Sequence, residues 1–388
     1  MKILHCCLAC FYIDNYSYQE NILPKLHKIQ GHNVKILAST ETYIENKVLG
    51  NTVSGSYSNE DGIEVTRVDY GKYLPKFIAK KIRTYRGIFE YLDNFKPDII
   101  FLHDCGFAGV LDIIKYCRKN KHVTVYADSH TDYINSANNF LSKQILHKII
   151  YKYFIGRIVP YLEVFYGTTP LRCEFLFDVY NVPKHKIKLL HFGADDTAFR
   201  AEDRERIALR FRKKYGLPSD SFLFVTGGKI DERKNIHLVM QAFSEVKQPN
   251  VYLLVFGVPN DNMSKILEKY KNSKSIIQLG WLNNEQIYDA LLSSNFGLFP
   301  GTHSVLWEQA IGIGLPCAFK RWHGMEHVDV GGNCVFLEEG SKFEIITLID
   351  KLITSKEYFE YINAKAMELG PANFSYSKIA TEAIIKNR

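Results

Sequence analysis

The sequence has 388 residues, of which 46% are hydrophobic and 23% charged, with a formal net charge of +7 at pH 7. That length is comfortable for two domains, and the composition is that of a folded globular protein rather than a disordered or fibrous chain. The small positive excess favours phosphates, acidic ligands or an anionic membrane surface, and no recognised nucleic-acid-binding module accompanies it. The eight cysteines have no framework spacing, which favours reduced thiols in a cytoplasmic protein.

The first half of the chain alternates strand and helix patterns. Its N-terminal apolar run predicts a buried strand over residues 2–11, because no small-residue cleavage site of a signal peptide follows it. A helix over 18–29 and a strand over 34–38 complete a β-α-β unit, which implies a parallel sheet with a right-handed crossover. Further strands are predicted at 63–68, 98–103, 123–127, 165–168 and 187–191, with a helix at 111–119 and a long amphipathic segment at 143–165.

A connector rich in turn and charged residues, 193–214, leads to a second α/β half. Its strands are predicted at 222–226, 251–256, 276–279, 296–299, 317–319 and 334–336, and its helices at 236–246, 263–270, 285–293, 306–313, 342–354 and 375–386. Two α/β halves predict two doubly wound, Rossmann-like domains that face each other, residues 1–192 and 193–372, with helix 373–388 packing back on the first. Ligands of such sheets bind at the C-terminal ends of the strands, so the cleft between the domains is the expected site.

Residues 299–316, FPGTHSVLWEQAIGIGLP, place a small polar loop between a buried strand and a helix. The backbone N–H groups of this loop and the dipole of the helix are suited to bind an anion, and Ser304 can cap the helix. Glu308, one turn into the helix, would then lie beside a bound phosphate and accept hydrogen bonds from a sugar diol. Taken alone, the pattern is also that of an ordinary capped helix, which is the simpler interpretation.

A second loop, residues 227–235, follows the strand predicted at 222–226. Gly227 and Gly228 allow the backbone to come close to a ligand. Lys229 and Lys234 are five residues apart across a turn, so both ammonium groups can converge on one diphosphate and neutralise it. The alternative is that both lysines are ordinary solvated charges.

With both loops in view, the chain resembles the retaining glycosyltransferases of the GT-B fold, of the family-four type (glycosyl transferases group 1). The matching motifs are Gly31-His32-Asn33-Val34, Phe192-Gly193-Ala194-Asp195 with Phe199, Gly228-Lys229 with Lys234, Ala242-Phe243, Gly257, Gly280-Trp281-Leu282, and Gln309-Ala310 with Gly314 and Pro316. Their order and spacing carry the resemblance, which covers nearly the whole chain. It implies an α/β GT-B fold and transfer of a sugar from a nucleotide-diphosphate sugar, UDP- or GDP-linked, to a hydroxyl group.

The resemblance implies a set of donor-binding residues in the second half. Lysine ammonium groups would hold the diphosphate, backbone N–H groups of the polar loop would bind the distal phosphate, and the Trp-Leu pair would border the base. The implied donor-binding residues are Gly227, Gly228, Lys229, Lys234, Trp281, Leu282, His303, Ser304, Val305, Glu308 and Gln309.

Two departures from the family pattern affect the donor site. Counting back from Pro316 places Gln309 at the ribose-binding glutamate of the family, whereas a one-residue shift at the helix start would give that role to Glu308. Both residues remain candidates. The family's first glutamate, which contacts the donor sugar, has no counterpart here, and His303 or Ser304 is expected to take over that contact.

The resemblance also implies residues on the acceptor side. His130 matches a histidine that touches the donor sugar or the acceptor, and together with Lys229, Lys234 and Glu308 it forms the implied catalytic set. Because the first loop lacks the family's Gly-Gly, polar side chains are expected to line the acceptor side. These residues are Asp14, Tyr18, Asn21, Asp128 and Asp132. The histidines at 323 and 327 suggest a metal, but GT-B enzymes generally act without one, so no metal and no other cofactor is expected.

Residues 71–86, GKYLPKFIAKKIRTYR, contain six basic residues, no acidic one and interleaved apolar side chains. This composition suits a segment that lies on an anionic membrane surface. A solvated helix with one buried stripe fits equally well. Membrane contact would imply a lipid-linked sugar as acceptor and a location at the inner face of the membrane.

Three functions therefore remain at the level of sequence. The preferred one is a retaining hexosyltransferase of cell-surface polysaccharide or glycoconjugate synthesis, with a nucleotide sugar and a sugar or lipid-linked sugar as partners and no nucleic acid. A nucleotide-sugar 2-epimerase of the same fold is the first alternative, and it would release an epimerised nucleotide sugar in the absence of an acceptor. A non-catalytic nucleotide or nucleic-acid binder is the second, and it would bind RNA in a salt-dependent manner.

Overall fold

The computed structural model describes residues 1–44, 48–71, 75–132, 149–199 and 203–386. The chain divides into two compact units, one formed by Met1–His191 with Ile379–Arg388 and the other by Phe192–Lys378. Each unit has its own sheet and its own hydrophobic core. The division after His191 lies next to the domain boundary predicted after residue 192.

The sheet of the first unit is parallel except at one edge. The strands of this unit are β1 (Lys2–Cys7), β2 (Asn33–Ser39), β3 (Glu41–Tyr43), β4 (Leu49–Asn51), β5 (Gly55–Ser58), β6 (Glu64–Val68), β7 (Ile99–His103), β8 (Thr124–Ser129), β9 (Leu162–Gly167) and β10 (Ile187–Leu189). Eight of them pair in the order β10-β9-β8-β7-β1-β2-β6-β5, and β3 pairs with β4 in a separate ribbon. Only the edge strand β5 runs antiparallel to its neighbour within the eight-stranded sheet.

Helices cover this sheet and bury its strands. They are α1 (Gln19–Ile29), α2 (Lys76–Ile82), α3 (Ile88–Phe95), α4 (Val110–Lys119), α5 (Lys152–Ile158) and α6 (Pro170–Asp178). Every residue of β7 is buried, as expected of a central strand with helices on both faces. The strand order reverses between β1 and β7, and in open α/β sheets ligands bind beside the C-terminal ends of the strands at such a reversal.

The second unit has a six-stranded, fully parallel sheet in the order β13-β12-β11-β14-β15-β16. The strands are β11 (Phe222–Gly227), β12 (Val251–Phe256), β13 (Ile276–Gly280), β14 (Phe296–Phe299), β15 (Cys317–Lys320) and β16 (Cys334–Leu337). The helices are α7 (Arg204–Tyr215), α8 (Ile236–Phe243), α9 (Asp261–Glu268), α10 (Asn284–Leu292), α11 (Leu306–Gly312), α12 (Lys342–Thr354) and α13 (Lys356–Asn373). Here the strand order reverses between β11 and β14.

The last helix, α14 (Tyr376–Glu382), spans the division between the units. From Ile379 onward the chain belongs to the first unit, where three side chains bond backbone carbonyls of α14 and of the residues just after it. The imidazole Nε2 of His27 lies 2.8 Å from the oxygen of Ala380, and the hydroxyl of Tyr126 donates to Ile384 at 3.1 Å. The hydroxyl of Tyr166 donates to Glu382 at 3.5 Å.

The prediction of an α/β protein with two doubly wound sheets is confirmed, but several elements differ from the predicted ones. The helix pattern predicted at 143–165 is wrong at its end, because a 3-10 turn containing Pro160 stops the helix and β9 begins at Leu162. Residues 143–148 lie outside the described residues. Helices α3, α6, α7 and α13 were not predicted, and α7 occupies part of the charged connector.

Candidate functional site

Two loops meet where the strand order of the second unit reverses. One follows β11 and contains the Gly-Gly-Lys sequence, and the other follows β14 and contains the polar residues before α11. Gly301 lies so close to the backbone of Lys234 that a Cβ atom there would overlap it. Gly228, with φ near 109°, lies against Leu306 at the start of α11, and a Cβ atom there would be 3.0 Å from its side chain. The glycines therefore permit the two loops to touch.

Lys234 fixes the conformation of the polar loop. Its Nζ donates to the carbonyl oxygens of Thr302 and His303, both at 2.8 Å. The side chains of Asn235 and Trp322 donate to the two preceding carbonyls, at 3.0 Å each. Because C=O and N–H point in opposite directions across a trans peptide, carbonyls turned towards Lys234 direct the following N–H groups, of His303 and Ser304, away from it.

The two lysines predicted to converge on a diphosphate have different environments. Lys229 is exposed. Lys234 is partly buried, and this burial lowers the pKa of its ammonium group to about 8. Two of its three N–H donors are used by the loop carbonyls, which leaves one to point elsewhere.

Glu308 lies beneath the polar loop and not at its surface. Its side chain is fully buried, and its Oε1 lies 2.7 Å from His303 Nε2 and 3.0 Å from His327 Nε2. Burial alone would raise the pKa of this carboxyl, but the two histidines outweigh it and hold the pKa well below its usual range. Within the described residues, these three side chains also form a group whose donor atoms lie within 4.8 Å of one another, close enough to share a metal ion.

Other predicted donor residues surround the same loops. Gln309 is 6% exposed, Trp281 is 58% exposed at the end of β13, and Leu282 is partly buried. The prediction that Ser304 caps α11 is wrong. The N-cap residue is Val305, and no side chain caps the helix. A cavity of about 320 Å³ opens nearby between the ends of β12 and β13 and helix α9, lined in part by Gly257 and Gly280.

The polar residues of the first loop are mostly engaged within the first unit. Asp14 accepts hydrogen bonds from Tyr57 and pairs with Arg67 at 3.1 Å. Asn21 is buried in α1 and donates to the carbonyl of Ile13 at 2.9 Å. Tyr18, the N-cap residue of α1, is 41% exposed and remains the most accessible of the three predicted acceptor-side residues of this loop.

Asp128, at the end of β8, is fully buried among basic partners. Its Oδ2 lies 2.8 Å from His103 Nδ1, and its Oδ1 lies 3.6 Å from His130 Nε2. Burial would raise the pKa of Asp128, but the two histidines hold it well below its usual range. Burial by itself would lower the pKa of His130. The carboxylate of Asp128 outweighs this effect, so that the pKa of His130 is raised. Asp132 lies in the same cluster and pairs with Arg172 at 3.1 Å.

Three buried histidines behind this cluster were not predicted as functional. His5 lies in β1, His27 in α1 and His103 at the end of β7, and none is more than 1% exposed. Their rings form a continuous row of hydrogen-bond contacts that ends at Asp128. A polar residue in the centre of an apolar strand, as His5 is, was the one sequence signal that could have indicated them.

The basic segment predicted to contact a membrane includes α2. Phe77 is 73% exposed on this helix, whereas Tyr85 is buried and donates to the carbonyl of Leu8 at 2.8 Å. Lys80 pairs with Glu41 at 2.8 Å. Residues 72–74 lie outside the described residues. None of the described helices combines the length and the apolar composition needed to cross a bilayer.

The two doubly wound sheets match solved structures of the GT-B fold. WaaG, described as a glycosyltransferase of lipopolysaccharide biosynthesis, has a TM-score of 0.67 at 14% identity over 99% of both chains. HepE of Anabaena, solved with UDP, has 0.70 at 12% identity over 98% of both chains. A UDP-GlcNAc 2-epimerase of Neisseria meningitidis, solved with UDP-GlcNAc, has 0.62 at 15% identity over 100% of both chains. At these identities the similarity defines the fold alone.

Comparison of the sequence with protein-family models gives a further match. Residues 208–367, which contain both loops, match the family model described as Glycosyl transferases group 1. The resemblance inferred from the motifs is thereby confirmed. None of the curated proteins matches the sequence.

Proposed function

We propose that this protein is a retaining glycosyltransferase that moves a sugar from a nucleotide-diphosphate sugar to a hydroxyl group. The observation that carries the proposal is the junction of the two loops at the strand-order reversal of the second unit, where Lys234 holds the carbonyls of Thr302 and His303. A diphosphate at this junction would meet backbone N–H groups and lysine ammonium groups together. Such preorganised donors stabilise the negative charge that develops on a departing diphosphate.

In this proposal Lys234 has two tasks, whereas Lys229 has one. Lys234 holds the polar loop so that the N–H groups of His303 and Ser304 can bind the distal phosphate, and it directs its remaining N–H at the diphosphate. Lys229 is exposed and contributes charge alone. The cavity near Gly257 and Gly280 would take the base, bordered by Trp281-Leu282.

The ribose contact is assigned to Gln309 rather than to Glu308. Glu308 has no exposed surface, and its Oε1 already accepts from two histidines. A ribose hydroxyl could reach that carboxylate only if a histidine moved aside. Gln309 has the motif position of the family glutamate, and its amide can both donate to and accept from a hydroxyl.

The chemistry proposed for the transfer requires little from an acidic side chain. The acceptor oxygen forms a bond to the anomeric carbon on the face that the diphosphate leaves, and the bond from this carbon to the phosphate oxygen breaks. The departing phosphate oxygen accepts the proton of the acceptor hydroxyl. His130, held beside Asp128, would contact the donor sugar or the acceptor. No metal is assigned a part in these steps.

The acceptor and the location are proposed from the basic segment around α2. We infer a sugar or lipid-linked sugar acceptor, a cytoplasmic protein at the inner face of a membrane, and a part in polysaccharide or glycoconjugate synthesis. The exposed Phe77 among lysines supports contact with an anionic surface.

The function is tested by calorimetry with UDP, GDP and their sugars, followed by NMR of reactions with and without sugar acceptors. A new glycoside with the anomeric configuration of the donor is expected. Release of an epimerised nucleotide sugar without an acceptor would replace the proposal with the 2-epimerase. Binding of RNA without binding of either nucleotide would replace it with the non-catalytic alternative.

A further inference from the structure

A row of buried imidazoles crosses the first unit from its C-terminal helix to Asp128. His27 Nε2 lies 2.8 Å from the carbonyl oxygen of Ala380, and His27 Nδ1 lies 2.9 Å from His5 Nε2. His5 Nδ1 lies 3.0 Å from His103 Nε2, and His103 Nδ1 lies 2.8 Å from Asp128 Oδ2. Each ring nitrogen of the three histidines therefore has one hydrogen-bond partner in the row.

The carbonyl at one end determines the direction of every bond. A carbonyl oxygen can only accept, so His27 must carry hydrogen on Nε2. If His27 is neutral, its Nδ1 accepts, and His5 must donate from Nε2. If His5 is neutral as well, its Nδ1 accepts, and His103 must donate from Nε2.

Counting protons then locates an additional one. The four contacts need four protons, whereas three neutral imidazoles supply three, so the fourth belongs to the pair of His103 and Asp128. Asp128 also accepts from the backbone N–H of Asp104 at 3.2 Å and faces His130 at 3.6 Å. A buried carboxylate surrounded by donors is stabilised in its ionised form. The fourth proton is therefore on His103, which becomes an imidazolium opposite a carboxylate.

The surroundings agree with this distribution of charge. Burial lowers the pKa of His5 well below its usual value and that of His27 to about 4, which keeps both rings neutral. Glu20 of α1 interacts electrostatically with His103 and His130, and burial raises its pKa. On the other side, Arg172 of α6 acts on His130 with the opposite sign. The row itself carries no net charge, because one imidazolium balances one carboxylate.

We propose that His27, His5 and His103 form a hydrogen-bond relay of one fixed direction, which begins at the Ala380 carbonyl and keeps Asp128 ionised and aimed at His130. His5, His27 and His103 are thus positioning residues that act through Asp128. The part that concerns His130 rests on the proposed transferase function, whereas the protonation pattern does not. Through this relay the carbonyl of Ala380, in the C-terminal helix, helps to position the residues proposed to contact the acceptor.

The protonation pattern is tested directly by long-range ¹H–¹⁵N NMR of the protein labelled at histidine, assigned with single His→Gln variants. At pH 7, His27 and His5 are expected to be neutral with hydrogen on Nε2, and His103 to carry hydrogen on both nitrogens. A His27 ring with hydrogen only on Nδ1, or a His103 ring with one bare nitrogen, overturns the relay.

Substitutions test the direction of the bonds separately from packing. Glutamine has an acceptor oxygen on one side of its amide and an NH2 group on the other, so it can continue the row at position 5 or 27. Both of its N–H donors are on a single nitrogen, so at position 103 it cannot donate to His5 on one side and to Asp128 on the other. We expect His5→Gln and His27→Gln to melt near the wild type, and His5→Leu, His27→Leu and His103→Gln to melt lower by about 3 °C or more. The exposed His122→Gln is the matched control.

Activity provides the second readout. His103→Gln is expected to lower kcat/KM at least about tenfold, while the affinity for UDP or GDP, whose proposed site is in the second unit, stays at the wild-type value. Equal stability and activity of the leucine and glutamine variants at position 5 and at position 27 would contradict the relay. If the wild type transfers no sugar, the NMR pattern and the melting temperatures still decide the relay, and only the proposed function fails.

Discussion

The ammonium nitrogen of Lys234 lies 2.8 Å from the carbonyl oxygen of His303, across two loops that are far apart in sequence. This bond turns a peptide group so that its carbonyl faces the protein and its N–H faces the opposite way. Lys234 would ordinarily be regarded only as a ligand-binding residue. In this structure it also fixes the conformation of the loop that is proposed to bind the diphosphate.

Replacing Lys234 is expected to impair both the loop and the binding of the nucleotide. Lys234→Ala should weaken binding of UDP or GDP at least tenfold, or by about 1.4 kcal/mol, in calorimetry. It should also lower the melting temperature, because two partly buried carbonyls lose their donor. Lys229→Ala should weaken binding without a change in stability, and the exposed Lys265→Ala on α9 should change neither. Wild-type affinity in a folded Lys234→Ala variant would contradict the diphosphate site.

The affinity should also depend on pH through Lys234. Because burial lowers the pKa of this ammonium group to about 8, its charge is present below that pH and lost above it. Binding of a nucleotide diphosphate is therefore expected to weaken between pH 7 and pH 9.5, as measured by calorimetry at constant ionic strength. Lys234→Arg, which keeps its charge throughout this range, should show a flatter profile. Equal slopes for the two proteins would remove Lys234 from the diphosphate contact.

Substitution of Glu308 is expected to affect mainly the stability of the protein, and substitution of Gln309 mainly its recognition of the ribose. Glu308→Gln is expected to cost about 2 kcal/mol of unfolding free energy, since two buried histidines lose a charged acceptor. The pKa of Glu308 is held below its unfolded value, so this stabilisation is present above about pH 4.5 and is lost as the pH falls further. Denaturant unfolding at pH 7 and at pH 4 measures the difference, with the exposed Glu268→Gln as the control.

Gln309→Ala should reduce the preference for a complete ribose, with some loss of stability because the side chain is only 6% exposed. Calorimetry with UDP and with 2′-deoxy-UDP compares the two ligands in the wild type and in the variant. The wild type is expected to prefer UDP, and the variant to bind both alike. A variant that retains the full preference would return the ribose contact to Glu308.

Removal of divalent metals is expected to leave nucleotide binding and transfer unchanged. Oε1 of Glu308 already accepts hydrogen bonds from the Nε2 atoms of His303 and His327, so these possible metal ligands are engaged with one another. Elemental analysis of the purified protein and assays with and without EDTA test this. A stoichiometric metal that is lost in the variant His327→Gln would instead identify this group as a metal site.

Membrane contact should depend on Phe77. Phe77→Asp is expected to reduce sedimentation with vesicles that contain phosphatidylserine, because an apolar side chain exposed among lysines is replaced by a charge that anionic lipids repel. Phe343→Asp is a matched control, since Phe343 in the second unit is 77% exposed and Phe77 is 73% exposed. Equal sedimentation of both variants would contradict a role for α2 at the membrane.

The sequence predicted the donor loops because their signals are local. The run Phe296–Phe299 ends at Pro300, and the structure places β14 at those residues. The Gly-Gly-Lys loop follows β11 as predicted. Strand order then brings the two loops together, and a pattern of alternating strands and helices implies such an order from general rules.

Long-range contacts could not be predicted in the same way. The bond between Lys234 and the loop carbonyls depends on the backbone conformation around Gly301, which no spacing expresses. His5, His27 and His103 are distant in sequence, and each has the surroundings of an ordinary core residue. The end of the helix before β9 was missed because the amphipathic pattern continues through Pro160, although proline is a frequent helix terminator.

The origin of the last ten residues of the first unit limits how the protein can be dissected. These residues come from the end of the chain, after the whole second unit has been synthesised. A fragment that stops at residue 191 would therefore lack the backbone oxygen that His27 bonds. An isolated first half should be made by splicing Ile379–Arg388 onto His191 through a short linker, and it is this spliced form that we expect to be resistant to proteolysis.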